Sequence, residues 1–548
     1  MSDKKINNTG FQIRLPLLLS LAIAAGIFIG ANVFQNGAVS VSGARGVSKN
    51  SKKFRDIISY IQRYYVDTVN TDDLTDFAIE QMLNKLDPHT TYIPAEDFEY
   101  SNSHLQGNFE GVGIEFNVFK DTVYVVSTVS GGPSEQVGIK AGDKIIKVGE
   151  ETIAGVNISR RRVIDLLRGK KDTKVSVGVK RRNENDLLYF TVKRDEIPEY
   201  SIEVSYMIDE NTGYIKINTF GAKTFDEFES SLSKLIDKGM ERLIIDLRGN
   251  GGGYMHIATK IVDQLLADDK LIVYTDGKVD QYDEKINATE EGMFEKGPLV
   301  VLIDENSASA SEILAGALQD NDRALIVGRR SFGKGLVQRP IELNDKSELR
   351  LTISRYYTPS GRSIQKPYSD EVDYEIDITE RYEHGEFFSA DSIAFDKSLR
   401  YETTSGRTVY GGGGIMPDYF VPLDTTYFTK YLTDLYANNL IVEYAYDYVS
   451  RNRGQLEEMG LEKFQEEMYI DQAILNEFIA FAEQGGVPYK EEQFLKSKSQ
   501  IERGIRAWIA RRIWREKGFY PIYNANDDIY QQAIRLMDRA ADLERLVE

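Results

Sequence analysis

The sequence predicts a multidomain α/β protein, and three patterns predict it. Between residues 201 and 423, short apolar strand-like runs alternate with amphipathic helical stretches, which requires crossover connections and an α/β core. Residues 107–194 break instead into short β-rich runs separated by glycine turns. One uncharged, mostly apolar segment, Leu15 to Phe34, has the length of a helix that spans a bilayer. A chain of 548 residues has room for about three or four modules. The boundaries fall at 1–36 for a cytoplasmic stub and membrane anchor, 37–53 for a linker and 54–106 for a helical region. A β-rich domain follows at 107–195, then the α/β core at 196–425 and a helical extension at 426–548.

Composition narrows the function classes. With 41% hydrophobic and 28% charged residues, the chain can bury sizeable cores without disulfides. It has no cysteine, which excludes thiol catalysis, thiolate metal sites and lipidation at cysteine. A formal charge of −19 repels phosphate backbones, so nucleic acid is not an expected partner. One tract runs against that balance: Arg503, Arg506, Arg511, Arg512, Arg515 and Lys517, interleaved with Trp508 and Trp514. It reads as the solvated cationic face of a helix.

At the N-terminus, Lys4, Lys5 and Arg14 precede the apolar segment, so the positive-inside rule keeps the stub cytoplasmic and exports the body. The expected location is a bacterial inner membrane, crossed once, with the body on the periplasmic side. A cleaved signal peptide is the rival reading. The long apolar run, and no small-x-small site around Asn32–Asn36, favour an uncleaved anchor.

The elements then follow in order. Ile57, Ile58, Ile61, Tyr64 and Tyr65 recur at helical spacing, as do Leu74, Phe77, Ala78, Met82 and Leu83, up to Asp87-Pro88. Strands are expected at 112–116, 123–129, 144–148, 174–179 and 189–193, with one helix near 161–167. In the core, 214–218, 243–247, 299–303, 324–327 and 349–353 read as strands. Helices are expected at 224–235, with Thr224 and Glu227 as a capping box, and at 257–266 and 312–318.

Three loops in this core could carry chemistry. Asp304–Glu312 joins a strand to a helix, and a serine there meets the unpaired N–H groups and positive dipole of a helix start. That suits a nucleophile whose oxyanion needs donors. A capping box of Ser309 with Glu312 is the plain alternative. Gly328–Gly335 nearly spells a phosphate loop, but Gly335 stands where that motif needs Ser or Thr, and the following stretch reads as extended rather than helical. Asp246–Gly253 ends a buried strand in a glycine loop, at the strand end where α/β sites gather.

Taken together, Ser309, Lys334 twenty-five residues on and Gln338 four later resemble the carboxyl-terminal processing peptidases, or tail-specific proteases. Further matching segments are Leu86-Asp87-Pro88-His89, Gly111-Val112-Gly113-Ile114, Asp246–Gly253, Ser307–Asp320, Gly333–Gln338, Tyr357–Arg362 and Gly414–Asp418, covering roughly 54–424. The resemblance implies a serine endopeptidase with Ser309 as nucleophile, Lys334 as general base and Gln338 orienting it; a non-catalytic PDZ scaffold that keeps a protease-like fold is the alternative, and the intact set argues against it. Oxyanion donors would be the N–H of Ala310 and one from Gly251–Gly253, with Gly251 and Gly252 the candidates. The physics agrees: a buried lysine without a carboxylate partner loses basicity, and a neutral glutamine orients the amine without stabilising its charge. His256 is the one plausible base for a rival Ser–His arrangement. No metal-ligand spacing occurs, so no metal and no cofactor is expected.

In the order this family uses, 107–194 resembles a PDZ domain. The N–H groups along Gly111, Val112, Gly113 and Ile114 would cradle a chain-terminal carboxylate, with Leu166 or Leu167 lining an apolar pocket. Arg168 would sense the bound tail and help align this domain with the core. The expected partners are therefore polypeptides with free apolar C-termini. The insertion at 366–410 and the extension from Asp424 depart from the compact family pattern. A lid, a homo-oligomer contact and docking of an adaptor are the roles open to them.

Overall fold

The computed structural model describes residues 44–547 apart from 120, 130, 182–183, 290, 369–373, 375 and 395. The expected membrane anchor therefore lies outside the described residues, and among those described no helix is long and apolar enough to cross a membrane. Of the described residues, those up to Gln81 form one compact unit and those from Met82 another. Helices span Ala44–Tyr64 and Thr71–Leu83, the second running up to and two residues past that division. Residues 44–53, expected as linker, are thus helical.

The α/β core is built on one six-stranded sheet whose spatial order equals its chain order. Its strands are β1 (Ile202–Met207), β2 (Thr212–Ile217), β3 (Arg242–Asp246), β4 (Leu299–Ile303), β5 (Leu325–Gly328) and β6 (Tyr419–Phe420). Only β1 runs antiparallel to its neighbour. Helices α1 (Thr224–Ile236), α2 (Met255–Asp263) and α3 (Ala310–Asp320) join β2, β3, β4 and β5. A sheet that steps always in one direction through right-handed crossovers puts all these helices on one face. Alternation along the strands matches: Leu243, Ile245, Val301 and Ile303 pack against the helices, while Ile244, Val300, Leu302 and Val327 face away.

That second face is covered by the end of the chain. Helices Asp528–Arg535 and Met537–Val547 lay Ile529, Tyr530, Ala533, Leu536, Met537, Ala540 and Leu543 across it. The rest of the extension is helical, as expected, and closes its own core around Tyr444, Phe464, Phe478 and Ile501. The basic tract is not a solvated face. Arg511 pairs with Glu516 and reaches Glu115, Arg515 donates to Thr128 O, and Arg512 lies over Tyr446. The tract docks the extension onto the β-rich domain, whose cationic contacts are answered by carbonyl and carboxylate groups there.

One other expectation fails locally. Thr224 and Glu227 do not form a capping box: Lys223 is the residue before the first turn, and Glu227 Oε2 accepts from the N–H groups of Ser201 and Ile202. A tertiary demand for a buried acceptor outcompetes the local one.

Candidate active site

A second, antiparallel sheet flanks the core. Its long strand Glu348–Tyr357 pairs with Leu336–Glu342 on one side and with Thr91–Ile93 on the other, so residues from three distant segments meet. Gln338 follows a bulge in this hairpin, opposite Thr352.

Ser309 stands at the start of α3 with φ 55°, a conformation unfavourable for a residue with a side chain. Such strain persists only where surroundings impose it. Here the surroundings are the glycine loop: a Cβ on Gly252 would sit 2.8 Å from Ser309 Cβ and 2.8 Å from Ala308 O. Asn250 locks the two loops together. Its carbonyl accepts from Ala308 N (3.0 Å) and Ser311 Oγ (2.9 Å), and its Nδ2 donates to Ile217 O (2.9 Å). Gly249 N donates to Asp304 Oδ1 (2.9 Å), a further tie between them.

Lys334 lies on the loop between β5 and the hairpin. Its Nζ donates to Gln338 Oε1 at 2.8 Å, and Gln338 Nε2 donates to the carbonyl of His89. Burial is the main influence on the amine and lowers its pKa, helped by Arg350 and opposed by Glu312 and Asp87. Among the described residues no carboxylate pairs with Nζ, and no hydrogen bond joins Nζ to Ser309 Oγ.

A residue that the sequence reading weighed only as a cap holds both loops. Glu312, fully buried, accepts four bonds. Oε2 takes Ser309 N (2.8 Å) and Lys334 N (2.9 Å), and Oε1 takes Gly333 N (2.7 Å) and Ser331 Oγ (2.5 Å). Burial pushes its carboxyl up to about 7 against the pull of these four donors. The capping box of Ser309 with Glu312 is thus present, and its carboxylate serves the lysine loop as well as the helix start. Tyr356, also buried, shares its hydroxyl proton between the carbonyls of Lys334 (2.6 Å) and Ser309 (3.1 Å). No local signal marks Tyr356, because its partners are 22 and 47 residues away.

Of the candidate oxyanion donors, Ala310 is the first helical residue of α3, where N–H groups have no partner within the helix. Gly252 does not fit as expected. Its N–H is turned onto Asn250 Oδ1 at 2.8 Å. Gly251 is exposed, with open space around its Cα, and is the candidate left in that loop. His256 is exposed and stacks on Tyr254, with ring centroids 5.4 Å apart, and partial burial, helped by Lys260, lowers its pKa. It makes no hydrogen bond to Ser309.

The insertion is built into this site. Arg381 is buried and donates to the carbonyls of Ser331 (3.1 Å) and Arg330 (2.7 Å), and Arg407 pairs with Asp322 and Asp418. Gln365 Oε1 accepts from Gly335 N (2.8 Å), strapping the lysine loop from outside.

In the β-rich domain, Gly113 turns the chain at φ 70° between strands Asn108–Gly111 and Ile114–Phe119. Strand Ile114–Phe119 is the sheet's edge, beside helix Arg160–Leu167. Val112 O accepts from Ser134 N and Oγ, which fixes the turn. Leu167 is 4% exposed and belongs to the interior with Val163, so Leu166, half-buried, is the leucine left to the groove. Arg160 reaches from the helix to Phe116 O at 3.4 Å. Arg168 makes no ion pair among the described residues. Its guanidinium lies over Phe109 (4.6 Å) and Tyr100 (5.2 Å) and donates to Ser103 Oγ (3.0 Å), joining the groove helix to helix Phe98–Gln106.

Known proteins agree with this architecture. The model of peptidase family S41 matches residues 211–378, that of the PDZ domain matches 111–194, and a family of unknown function matches 431–515. A carboxy-terminal-processing protease of Bartonella bacilliformis is 33% identical over 346 residues, 62% of this chain and 79% of that protein. The carboxy-terminal processing protease CtpB of Bacillus subtilis is 31% identical, over 69% of this chain and 78% of that one. The solved photosystem II D1 C-terminal processing protease shares 26% identity at a TM-score of 0.35, covering 67% of this chain and 86% of that one. The sequence relatives and family models define a serine peptidase that carries a PDZ domain. The chain belongs to the carboxy-terminal processing proteases of peptidase family S41.

Proposed function

We propose that this peptidase captures unstructured, apolar polypeptide C-termini in its PDZ groove and cleaves them through a Ser309–Lys334 dyad and an acyl-enzyme. The observation that carries the reading is the 2.8 Å bond from Lys334 Nζ to Gln338 Oε1, made by an amine whose pKa is lowered by burial. A neutral amine is a base, and the uncharged glutamine carbonyl directs it while stabilising its protonated form far less than a carboxylate would.

In this scheme neutral Lys334 accepts the Ser309 hydroxyl proton as Oγ attacks the scissile carbonyl. The oxyanion is met by the N–H of Ala310 and of Gly251. Lys334 then gives its proton to the departing amine, leaving the acyl-enzyme, and a water deprotonated by the same lysine releases the product. Because no bond links Ser309 and Lys334, Oγ must close the last gap when substrate is seated. The tail would add as a strand to Ile114–Phe119, displacing Arg160 from Phe116 O, with its carboxylate at the Gly111–Ile114 turn. Arg168 would relay that seating to helix Phe98–Gln106. The segment Leu15–Phe34 would anchor the exported body to a bacterial inner membrane.

The test compares the body from Val47 with its Ser309→Ala, Lys334→Ala and Arg168→Ala variants. The substrates are an unfolded protein with an apolar C-terminus and the same protein with a charged one. Cleavage of the apolar-tailed substrate by wild type, with Ser309→Ala and Lys334→Ala folded but inactive, supports the dyad. Full activity of Lys334→Ala sinks it. Unchanged cleavage by Arg168→Ala removes the relay assigned to that residue.

A further inference from the structure

The Leu86–His89 motif has no part in the dyad chemistry, yet it touches the site. Asp87 pins the loop: Oδ1 accepts from His89 N and Thr90 N, both at 2.8 Å, and Oδ2 from Thr90 Oγ1 at 2.6 Å. Thr352, on the strand that pairs with Gln338, also donates to Asp87 Oδ1 (3.1 Å). The carbonyl of His89 is thereby held where Gln338 Nε2 donates to it.

That bond settles which way the glutamine amide faces. An amide has an acceptor end and a donor end. With Nε2 committed to a carbonyl, Oε1 must face Lys334 Nζ, as it does at 2.8 Å. A flipped amide would present N–H groups to the amine and could accept nothing from it.

The His89 ring is fixed in turn by the insertion. Tyr374 Oη lies 2.8 Å from His89 Nε2, with the rings edge to face at 5.1 Å. Tyr374 is itself wedged. Lys366 Nζ sits 4.0 Å from its ring and 3.9 Å from that of Phe332, two residues before the catalytic lysine, and bonds Asp377 at 3.0 Å. The charges around the His89 ring are those of Lys334, Lys366 and Asp87, and burial with the nearby Lys334 lowers its pKa to about 4. The ring is neutral at working pH, so the chain from Tyr374 to Lys334 adds no charge beside the amine.

We propose that Tyr374, contributed by the insertion, is a positioning residue that acts through His89 to hold the Gln338 amide in the orientation that directs Lys334. The proposal rests on the Ser–Lys reading. It gives the insertion a task within turnover, distinct from covering the site.

The experiment is a double-mutant cycle on the body from Val47, with kcat, KM and the pH profile of kcat measured on the apolar-tailed substrate. Tyr374→Phe removes only the hydroxyl. The expected result is a fall in kcat of about 5- to 50-fold, a fraction of the roughly 100- to 10,000-fold that a general base contributes, with KM unchanged. The acid limb should move to higher pH, because a freed Gln338 lets water solvate the ammonium. His89→Leu, which keeps the backbone carbonyl and loses Nε2, should reproduce both changes. In a Gln338→Ala background, Tyr374→Phe should cost nothing more. Wild-type kcat and acid limb in Tyr374→Phe, or effects that multiply with Gln338→Ala, overturn the relay. Wild-type activity of Gln338→Ala itself overturns the Ser–Lys–Gln reading beneath it.

Discussion

Replacing Glu312 by glutamine tests how the Ser309 and Lys334 loops are held. The carboxylate accepts four donors, two on each oxygen. A glutamine keeps one oxygen, so two donors would face an NH2 group. Charge-assisted bonds of this kind contribute about 1.5–3 kcal/mol each. Removing a buried charge offsets part of that loss, leaving a net weakening of about 2 kcal/mol. Since about 1.4 kcal/mol is a factor of ten, amide hydrogens of Ser309, Gly333 and Lys334 should exchange about 30-fold faster. The loops would also lose their common reference, and misplacement of the order of 1 Å costs about 100-fold in rate. We expect kcat to fall by about 10- to 100-fold with KM within about twofold. Burial raises the carboxyl's pKa to about 7, so the ionised form, which alone can accept all four donors, predominates only above that pH. Hydrogen exchange resolved to these peptides, with kcat measured on the same sample, reads both effects. Wild-type exchange together with wild-type kcat would refute the bridging role.

Three further outcomes follow from the same structure. Activity should rise with pH through the Lys334 pKa, which lies below the ordinary lysine value, because only the neutral amine is a base; a pH–kcat/KM profile without an acid limb contradicts this. Gly252→Ala should lower kcat by about 100-fold while circular dichroism stays native, since φ is +104° and the added methyl meets Ser309 Cβ at 2.8 Å; normal turnover would mean that the loop adapts. Truncation before Asp528 should give an aggregating, dye-binding product. Five large side chains, Ile529, Tyr530, Leu536, Met537 and Leu543, contribute about 1.5–3 kcal/mol each, which approaches a domain's whole net stability. A soluble, monodisperse truncation product would show that the second sheet face tolerates exposure.

Elements governed by local pattern were legible in the sequence. Leu299–Ile303 and Lys144–Val148 are strands at the expected bounds, because continuous β-branched runs leave little else to form. The Ser309, Lys334 and Gln338 set came from the resemblance to the tail-specific proteases, and the structure gathers Lys334 and Gln338 by a bond and Ser309 and Lys334 through Glu312 and Tyr356. What escaped reading depends on separation along the chain. Glu227 resembled a cap until a backbone segment 25 residues earlier claimed its carboxylate. The basic tract resembled a solvent face because its partners, Glu115 and Thr128, lie nearly 400 residues upstream. Gly252 resembled a donor because spacing cannot tell where an N–H points, and Asn250 decides that.

The last helices close the sheet that carries the nucleophile loop, and Asp527, just before them, bonds Arg248 at 2.6 Å, beside the strand end where the glycine loop begins. Cover and site are therefore one piece of architecture. Lifting residues 527–547 away would strip Ile244, Val300 and Leu302 of their packing and take from Arg248 its outer carboxylate, so opening at this remote face would be felt at the loop beside Ser309.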